Sequence, residues 1–176
     1  MVSVTGGKGS VVEFFGPGVQ TLGATAMATI GNMSAEVGAT SCLFPYTEGM
    51  GRFLNVTKRG DIVRVAMENL NLITADEGSD RYYDHIVEID LDTLEPHING
   101  PYTPDLSHQM HKLGKAVIEN KWPKNLSASL VGSCTNSSYE DLMKVANLLK
   151  QADNAGLKPK TPFFYLYWKR ADQGYG

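Results

Sequence analysis

Apolar and polar positions along this chain predict short strands that alternate with helices. Residues 11–15 form a β-prone run that stops at a Gly-Pro-Gly turn. Residues 86–91 alternate between apolar and acidic side chains, and this pattern predicts a second strand. Residues 42–45 indicate a short buried strand ending at proline, and residues 126–131 predict a further strand. Residues 97–105 carry turn-forming Asn-Gly-Pro and Pro-Asp pairs and are predicted to be a loop.

Spacings of three and four between apolar residues predict the helices. Residues 21–40 show this spacing among many Gly, Ala, Ser and Thr, and such small side chains favour close approach of a second backbone or a bound group. The spaced apolar residues are Met27, Ile30, Met33 and Val37. Residues 52–70 indicate a surface helix that breaks near Gly60 and restarts with Asp61 as its N-cap. Residues 107–121 are also predicted to be helical.

The clearest predicted helix begins after Ser138. Ser138 and Asp141 form the Ser-x-x-Asp pattern of a capping box, and Gly156 is a suitable residue just past the helix end. One face of this helix is apolar, consisting of Tyr139, Leu142, Met143, Ala146 and Leu149. The order of strand, loop, helix and strand predicts an α/β fold with a mixed sheet.

Composition narrows the class of protein without identifying a function. The chain has 176 residues, 42% hydrophobic and 20% charged, with a formal net charge of −3, as expected for about one globular domain. The slight acidic excess gives no electrostatic basis for nucleic-acid binding, and the apolar runs are too short for a membrane span. The first residues match neither a signal peptide nor a transit peptide. Two cysteines are too few for a disulfide scaffold.

The most specific candidate site is the loop over residues 132–138, Gly-Ser-Cys-Thr-Asn-Ser-Ser, between a predicted strand and a predicted helix. Cys134 in this loop is expected beside free backbone N–H groups and the positive end of a helix dipole. Both favour the thiolate, the form that binds metal or attacks carbon. Neighbouring hydroxyls and an amide are able to donate hydrogen bonds to sulfur and tune a metal cluster. The alternative is a buried cysteine in a polar turn.

A second candidate is the pair Asn32 and Glu36, which share one helix face at a spacing of four. A carboxylate among small apolar residues is expected to be either paired or functional, because an isolated buried charge is costly. The alternative is a solvated helix face with no chemical role.

Two weaker candidates involve histidines and the aromatic end of the chain. His108 and His111 share a face if their segment is helical, so a zinc site with Cys134 or a Cys–His nucleophile pair stays open, although no standard ligand spacing supports either. Residues 163–168 are mostly aromatic and precede a basic pair at 169–170, a combination that suits base stacking. A buried strand or an unstructured terminus is the alternative there.

Several motifs together resemble the aconitase family, in particular its mitochondrial type. They are Val12 to Val19, Met27 to Ile30, Asn32 to Thr40, Phe44 to Tyr46, His97 to Pro101 and Gly132 to Asp141. The last two are highly specific in combination, whereas either alone also fits homoaconitase and isopropylmalate dehydratase. The resemblance extends from about residue 4 to about residue 161.

The resemblance implies an enzyme that interconverts citrate and isocitrate through cis-aconitate in the tricarboxylic acid cycle. Aconitases hold a [4Fe–4S] cluster by three cysteines, and the open iron acts as a Lewis acid on the substrate. Matched residue by residue, Cys134 is the first cluster ligand and Asn32 lies close to the cluster. Glu36 matches an acidic residue in the hydrogen-bond network around the iron-bound oxygen, with an acid–base or positioning role.

The same resemblance implies a three-layer α/β/α arrangement as part of the iron–sulfur core, a monomer, and a location in the mitochondrial matrix. Citrate and isocitrate are the implied ligands, with no nucleic acid and no membrane. Some cytosolic aconitases bind RNA, but the acidic balance and the similarity to the mitochondrial type argue against that function here.

Other parts of the family pattern are absent from these 176 residues. They are the Cys-x-x-Cys pair that supplies two further ligands, the Asp-His segments, the substrate-binding arginines and the swivelling domain with the catalytic serine. Because one matching cysteine cannot hold a cluster that needs three thiolates, we expect residues 1–162 to be a partial core domain, inactive alone and without a stable cluster. Residues 163–176 are predicted to be a divergent tail. The alternative is a non-enzymatic truncated product or a partner-binding domain.

Overall fold

Helices and small sheets make up the computed structural model, which describes residues 5–133 and 135–166. The chain divides into two compact units, Met1–Ala116 and Val117–Gly176, and each unit is described by itself. Among the described residues the sheets are two parallel strand pairs and one antiparallel pair. This mixture of helices with small parallel and antiparallel sheets agrees with the predicted α/β class.

The first unit contains two strand pairs and several helices. Its elements are β1 (Val11–Glu13), α1 (Ala24–Ser34), β2 (Ser41–Leu43), α2 (Glu48–Val56), α3 (Gly60–Glu68), β3 (His97–Asn99) and β4 (Ser107–Gln109), and α4 (Leu113–Glu119) follows at the junction with the second unit. β1 and β2 run parallel, with Val12 opposite Cys42. β3 and β4 run antiparallel, with Ile98 opposite His108. Strands β1 and β2 confirm the strands predicted at these positions.

The core of the first unit lies where α1 packs near β2. Met27 of α1 is 3% exposed, and burying a side chain of this size contributes roughly 1.5–3 kcal/mol. Gly31, one turn further along, allows the Cys42 thiol to come close, because a Cβ on Gly31 would lie 3.4 Å from the Cys42 Sγ. The small residues of α1 therefore allow close packing of a helix on a strand, which is one of the two uses predicted for them.

The helices α2 and α3 begin at other residues than the sequence pattern predicts. α2 begins at Glu48 because the buried Thr47 caps it, its Oγ1 accepting a hydrogen bond from the Met50 amide at 3.3 Å. Asp61 is not an N-cap, since it lies inside the first turn of α3. An acidic side chain at that position still interacts favourably with the positive end of the helix dipole.

Three further predictions for this unit are wrong, and each concerns whether a segment pairs with another segment as a strand. Residues 86–91 belong to none of the strands in the described part of the chain, and a turn begins at Leu91. Residues 97–99 and 107–109, predicted as loop and helix, pair with each other as β3 and β4. His108 therefore lies on a strand, and His108 and His111 do not share a helix face. Local spacing cannot reveal which segments meet in space, and pairing in the folded chain overrides local preference.

The second unit is a strand–helix–strand arrangement. It consists of β5 (Ser129–Val131), α5 (Tyr139–Asn154) and β6 (Phe163–Tyr165), and β5 and β6 pair in parallel with Ser129 opposite Phe163. The predicted strand and helix are both confirmed. Gly156 adopts φ 70 just past α5, the left-handed conformation expected of a residue that terminates a helix.

Candidate functional site

The loop that carries Cys134 leaves β5 through two residues in unusual backbone conformations. Gly132 has φ 139 and Ser133 has φ 88, a region that side chains other than glycine adopt at a cost. A Cβ on Gly132 would overlap the carbonyl oxygen of Leu166. Glycine is therefore required at the start of the loop both for its conformation and for the space that Leu166 leaves.

Leu166 follows β6 and holds that strand against β5. Its amide donates a hydrogen bond to the Val131 carbonyl at 2.9 Å, and its carbonyl covers Gly132 on the adjacent turn. The sequence analysis keeps a buried strand as one alternative for the aromatic run at residues 163–168, and β6 agrees with that alternative over residues 163–165. The contact of Leu166 with Gly132 is not predicted, because the sequence alone does not show which strand pairs with β5.

Cys134 itself lies outside the described residues, so its predicted role stays a prediction. The residues on either side of it are linked by a hydrogen bond in which the Thr135 amide donates to the Ser133 Oγ at 3.4 Å. A hydrogen bond between a hydroxyl and the backbone two residues away is typical of a polar turn. The described residues next to position 134 thus connect the end of β5 to the start of α5.

The helix end of the loop is closed by the predicted capping box. The Ser138 Oγ accepts a hydrogen bond from the Asp141 amide at 3.1 Å, and the Ser138 amide donates to Asp141 Oδ2 at 3.3 Å. The box therefore uses two of the N–H groups that were expected to be free for a ligand. The remaining amides of the first turn and the helix dipole still place positive potential at this end of α5.

Carboxylates in the first turn of α5 offset part of that potential. Glu140 and Asp141 both lie there, and Glu140 Oε1 accepts a hydrogen bond from Lys144 Nζ at 2.8 Å. This bond and the attraction to the Glu140 charge raise the pKa of Lys144 above its usual value. Lys144 in turn partly neutralises Glu140, while Asp141 takes part in the capping box.

Asn32 and Glu36 lie on the surface of the first unit. Asn32 is in the last turn of α1, and Glu36 is in the 3-10 turn Ala35–Val37 that continues it. Both side chains are exposed. Exposure fits the solvated-face alternative within this unit, and the two predicted roles stay predictions.

The second cysteine and the histidines give no support to a zinc centre. Cys42 is part of β2, and its thiol lies close to Gly31. His111 Nδ1 lies 3.3 Å from Glu95 Oε2, and His97 Nδ1 lies 2.7 Å from the Glu95 carbonyl. Within residues 5–133 and 135–166, no three or more His, Cys, Asp and Glu side chains come together as metal ligands.

The donors of this chain do not complete a [4Fe–4S] site. A cluster of the aconitase type needs three thiolates, whereas the chain has two cysteines. One of them, Cys42, is packed in a strand beside Gly31. The residues present therefore provide at most one ligand from the loop between β5 and α5.

The described residues define an α/β protein in which a loop containing a cysteine joins a strand to a capped helix. Comparison with known proteins identifies its family. The family model described as "Aconitase family (aconitate hydratase)" matches residues 1–166. The chain belongs to the aconitase family. The matched region includes the loop over residues 132–138 and all of β6.

The curated relatives are several times longer than this chain. "Probable aconitate hydratase, mitochondrial" of Caenorhabditis elegans is 52% identical over 163 residues, which cover 93% of this chain and 21% of the relative. "Aconitate hydratase, mitochondrial" of Schizosaccharomyces pombe is 49% identical and is covered over 20% of its length. "Homocitrate dehydratase, mitochondrial" of Saccharomyces cerevisiae is also 49% identical, with 21% of its length covered. The chain thus spans about a fifth of the length of these relatives.

Among the described residues, no helix has the length and apolar character needed to cross a membrane.

Proposed function

We propose that this chain is the part of a mitochondrial aconitate hydratase that supplies Cys134 as one of the three cluster ligands. The observation that carries this proposal is the family match over residues 1–166, which includes the cysteine loop between β5 and the capped α5. The three-layer α/β/α core, the matrix location and citrate and isocitrate as substrates belong to the same proposal. They are properties of the longer protein, of which these residues form about a fifth.

Alone, the chain is inactive and binds no stable cluster. Its cysteines are too few for a [4Fe–4S] cluster, and Asn32 and Glu36 are exposed in the first unit. In the longer protein, Asn32 contributes an amide close to the cluster. Glu36 contributes a carboxylate that positions or exchanges a proton at the substrate oxygen.

The test is an exchange variant, defined as the C. elegans relative whose matched region is replaced by the corresponding residues of this chain. We expect the exchange variant to show the visible absorbance of an iron–sulfur cluster and to convert citrate to isocitrate. The 176-residue chain, incubated anaerobically with iron and sulfide, is expected to show neither property.

The two cysteines provide a matched pair of substitutions in the exchange variant. Cys134→Ser is expected to abolish both cluster absorbance and turnover, because it removes a thiolate ligand. Cys42→Ser is expected to retain both, because Cys42 packs beside Gly31 in β2. Cluster absorbance that survives Cys134→Ser would refute the proposed ligand.

Homocitrate is a second candidate substrate of the longer protein. The homocitrate dehydratase of S. cerevisiae is 49% identical to this chain, the same value as the S. pombe aconitate hydratase. Turnover of citrate and of homocitrate by the native longer protein, purified from its source, distinguishes the two candidates. A higher kcat/KM for homocitrate would favour the second.

A further inference from the structure

The 3-10 turn that carries Glu36 is fixed by backbone hydrogen bonds within its own segment. The Gly38 amide donates to the Ala35 carbonyl at 3.0 Å. The Ala39 amide donates to the Ser34 carbonyl at 3.1 Å. The chain then turns back toward β2 through Gly38, which has φ 82, a conformation that glycine adopts without steric cost. The backbone of Glu36 is therefore bracketed by hydrogen bonds that span it in sequence.

A second turn, the glycine turn over residues 5–9, packs on the segment that carries Glu36. Its sequence is Thr-Gly-Gly-Lys-Gly. Gly7 in this turn is buried, and its amide donates a hydrogen bond to the Val37 carbonyl at 2.9 Å. Just beyond the glycine turn, the Ser10 carbonyl accepts a hydrogen bond from the Thr40 amide at 2.8 Å. The segment after α1 is thus held against the glycine turn at two points.

The contact with Val37 leaves no room for a side chain at position 7. A Cβ on Gly7 would lie 3.1 Å from the Val37 carbonyl oxygen, 3.3 Å from the Ala39 amide nitrogen and 3.4 Å from the Ala39 Cβ. Two of these three atoms belong to the backbone, which cannot rotate away as a flexible side chain can. An added methyl group therefore requires the segment that carries Glu36 to shift by a few tenths of an ångström.

We infer that Gly7 is a positioning residue for the Glu36 carboxylate. The inference rests on the proposed function, in which Glu36 positions or exchanges a proton at the substrate oxygen of the longer protein. Glu36 directly precedes Val37, so a displacement of the Val37 carbonyl also displaces the backbone that presents the carboxylate. Proton transfer requires the two groups to lie within hydrogen-bond reach, and a misplacement of about 1 Å costs about 100-fold in rate.

Gly9 provides a matched control within the same turn. It has φ 74, and no atom lies within 4 Å of a Cβ added to it. Asparagine tolerates the left-handed conformation better than most residues. Gly9→Asn is therefore expected to keep the conformation of the glycine turn without touching the segment that carries Glu36.

Steady-state kinetics of the exchange variant test the inference. Gly7→Ala is expected to lower kcat about tenfold, because the shift is smaller than the 1 Å that costs about 100-fold. The KM for citrate is expected to stay within about twofold, since the lost interaction acts in the transition state. Gly9→Asn is expected to retain both values. An unchanged kcat in Gly7→Ala, or an equal loss in Gly9→Asn, would overturn the inference.

A double-mutant cycle with Glu36→Gln separates positioning from a general structural defect. If Gly7 acts through the Glu36 carboxylate, adding Gly7→Ala to Glu36→Gln lowers kcat by less than about twofold more. An independent defect would lower kcat about tenfold in both backgrounds. Additive losses would therefore contradict a role through Glu36.

Hydrogen–deuterium exchange of the 176-residue chain measures the contact without turnover. The hydrogen-bonded amides of Gly7, Ala39 and Thr40 are expected to exchange at least about tenfold more slowly than in an unstructured peptide. Gly7→Ala is expected to remove most of the protection of Ala39 and Thr40, and Gly9→Asn is expected to preserve it. A Gly7 amide that exchanges at the unstructured rate, or unchanged protection in Gly7→Ala, would refute the contact and with it the inference.

Gly38→Ala replaces Gly7→Ala if the latter does not accumulate as folded protein. It strains φ 82, and its Cβ would lie 3.4 Å from the Cα and the amide nitrogen of Lys8, so it disturbs the same contact from the other side. Its loss of kcat is expected to vanish in Glu36→Gln, and a loss of full size there would overturn the inference. An unsubstituted exchange variant without cluster absorbance and turnover would refute the proposed function, and the inference that rests on it would fall too. An active exchange variant with an unchanged kcat in both glycine variants would refute the inference alone.

Discussion

Gly132→Ala tests whether the loop before Cys134 depends on the close approach of Leu166. The substitution adds a Cβ to a residue with φ 139, and that atom would overlap the Leu166 carbonyl oxygen. Backbone strain at a positive φ costs about 1–3 kcal/mol. Forcing an extra methyl group into a filled space costs about 1–3 kcal/mol more. We therefore expect the free energy of unfolding to fall by roughly 2–6 kcal/mol.

Gly156→Ala is the matched control in the same unit. Gly156 has φ 70, and no atom lies within 4 Å of an added Cβ. This substitution therefore introduces backbone strain at a positive φ but no steric overlap with a neighbouring residue. Its expected cost is about 1–2 kcal/mol. The difference between the two variants isolates the contact with Leu166.

Urea unfolding of the second unit, followed by far-ultraviolet circular dichroism and tryptophan fluorescence, measures both costs. With a denaturant slope of about 2 kcal/mol/M, a difference of 2 kcal/mol between the variants corresponds to midpoints separated by about 1 M. A loss of stability for Gly132→Ala that is no larger than that for Gly156→Ala would refute the reasoning.

Two further predictions concern α5. Ser138→Ala removes the capping box, so it is expected to lower the free energy of unfolding by about 1 kcal/mol. The control Ser127→Ala changes an exposed serine and is expected to leave the urea midpoint unchanged. Equal urea midpoints for the two variants would show that the capping box does not stabilise α5. The hydrogen bond to Glu140 raises the pKa of Lys144 in the folded state. The contribution of this pair to folding stability is therefore fully present below the unfolded-state pKa of Lys144 and is lost as pH rises through its folded-state pKa. NMR titration of Lys144 is expected to give a lower pKa in Glu140→Gln, and identical titration curves would show that Glu140 is not the cause.

The parts of the fold that follow from local chemistry were predictable from the sequence. The box between Ser138 and Asp141 and the left-handed Gly156 are recognisable because each depends on residues a few positions apart. The segments that require a distant partner were not predictable in the same way. β4 pairs with β3 although its own spacing favours a helix. Residues 86–91 alternate as a strand would, but they belong to none of the strands in the described part of the chain.

The candidate site shows the same division between local and distant effects. The position of the cysteine loop between a strand and a helix followed from the pattern around residues 126–141. The contact of Leu166 with Gly132 did not, because it joins residues on two parallel strands separated by a helix. The roles of Asn32 and Glu36 came from the family resemblance, and their exposed positions on α1 and the turn after it do not by themselves indicate chemistry.

The contact between Gly132 and Leu166 sets an order of events during protein synthesis. Gly132 leaves the ribosome first, and Leu166 follows thirty-four positions later. At about 5–20 residues per second, the loop waits on the order of 2–7 s before the strand that closes it becomes available. The turn at Gly132 is therefore closed only after α5 and β6 have been made.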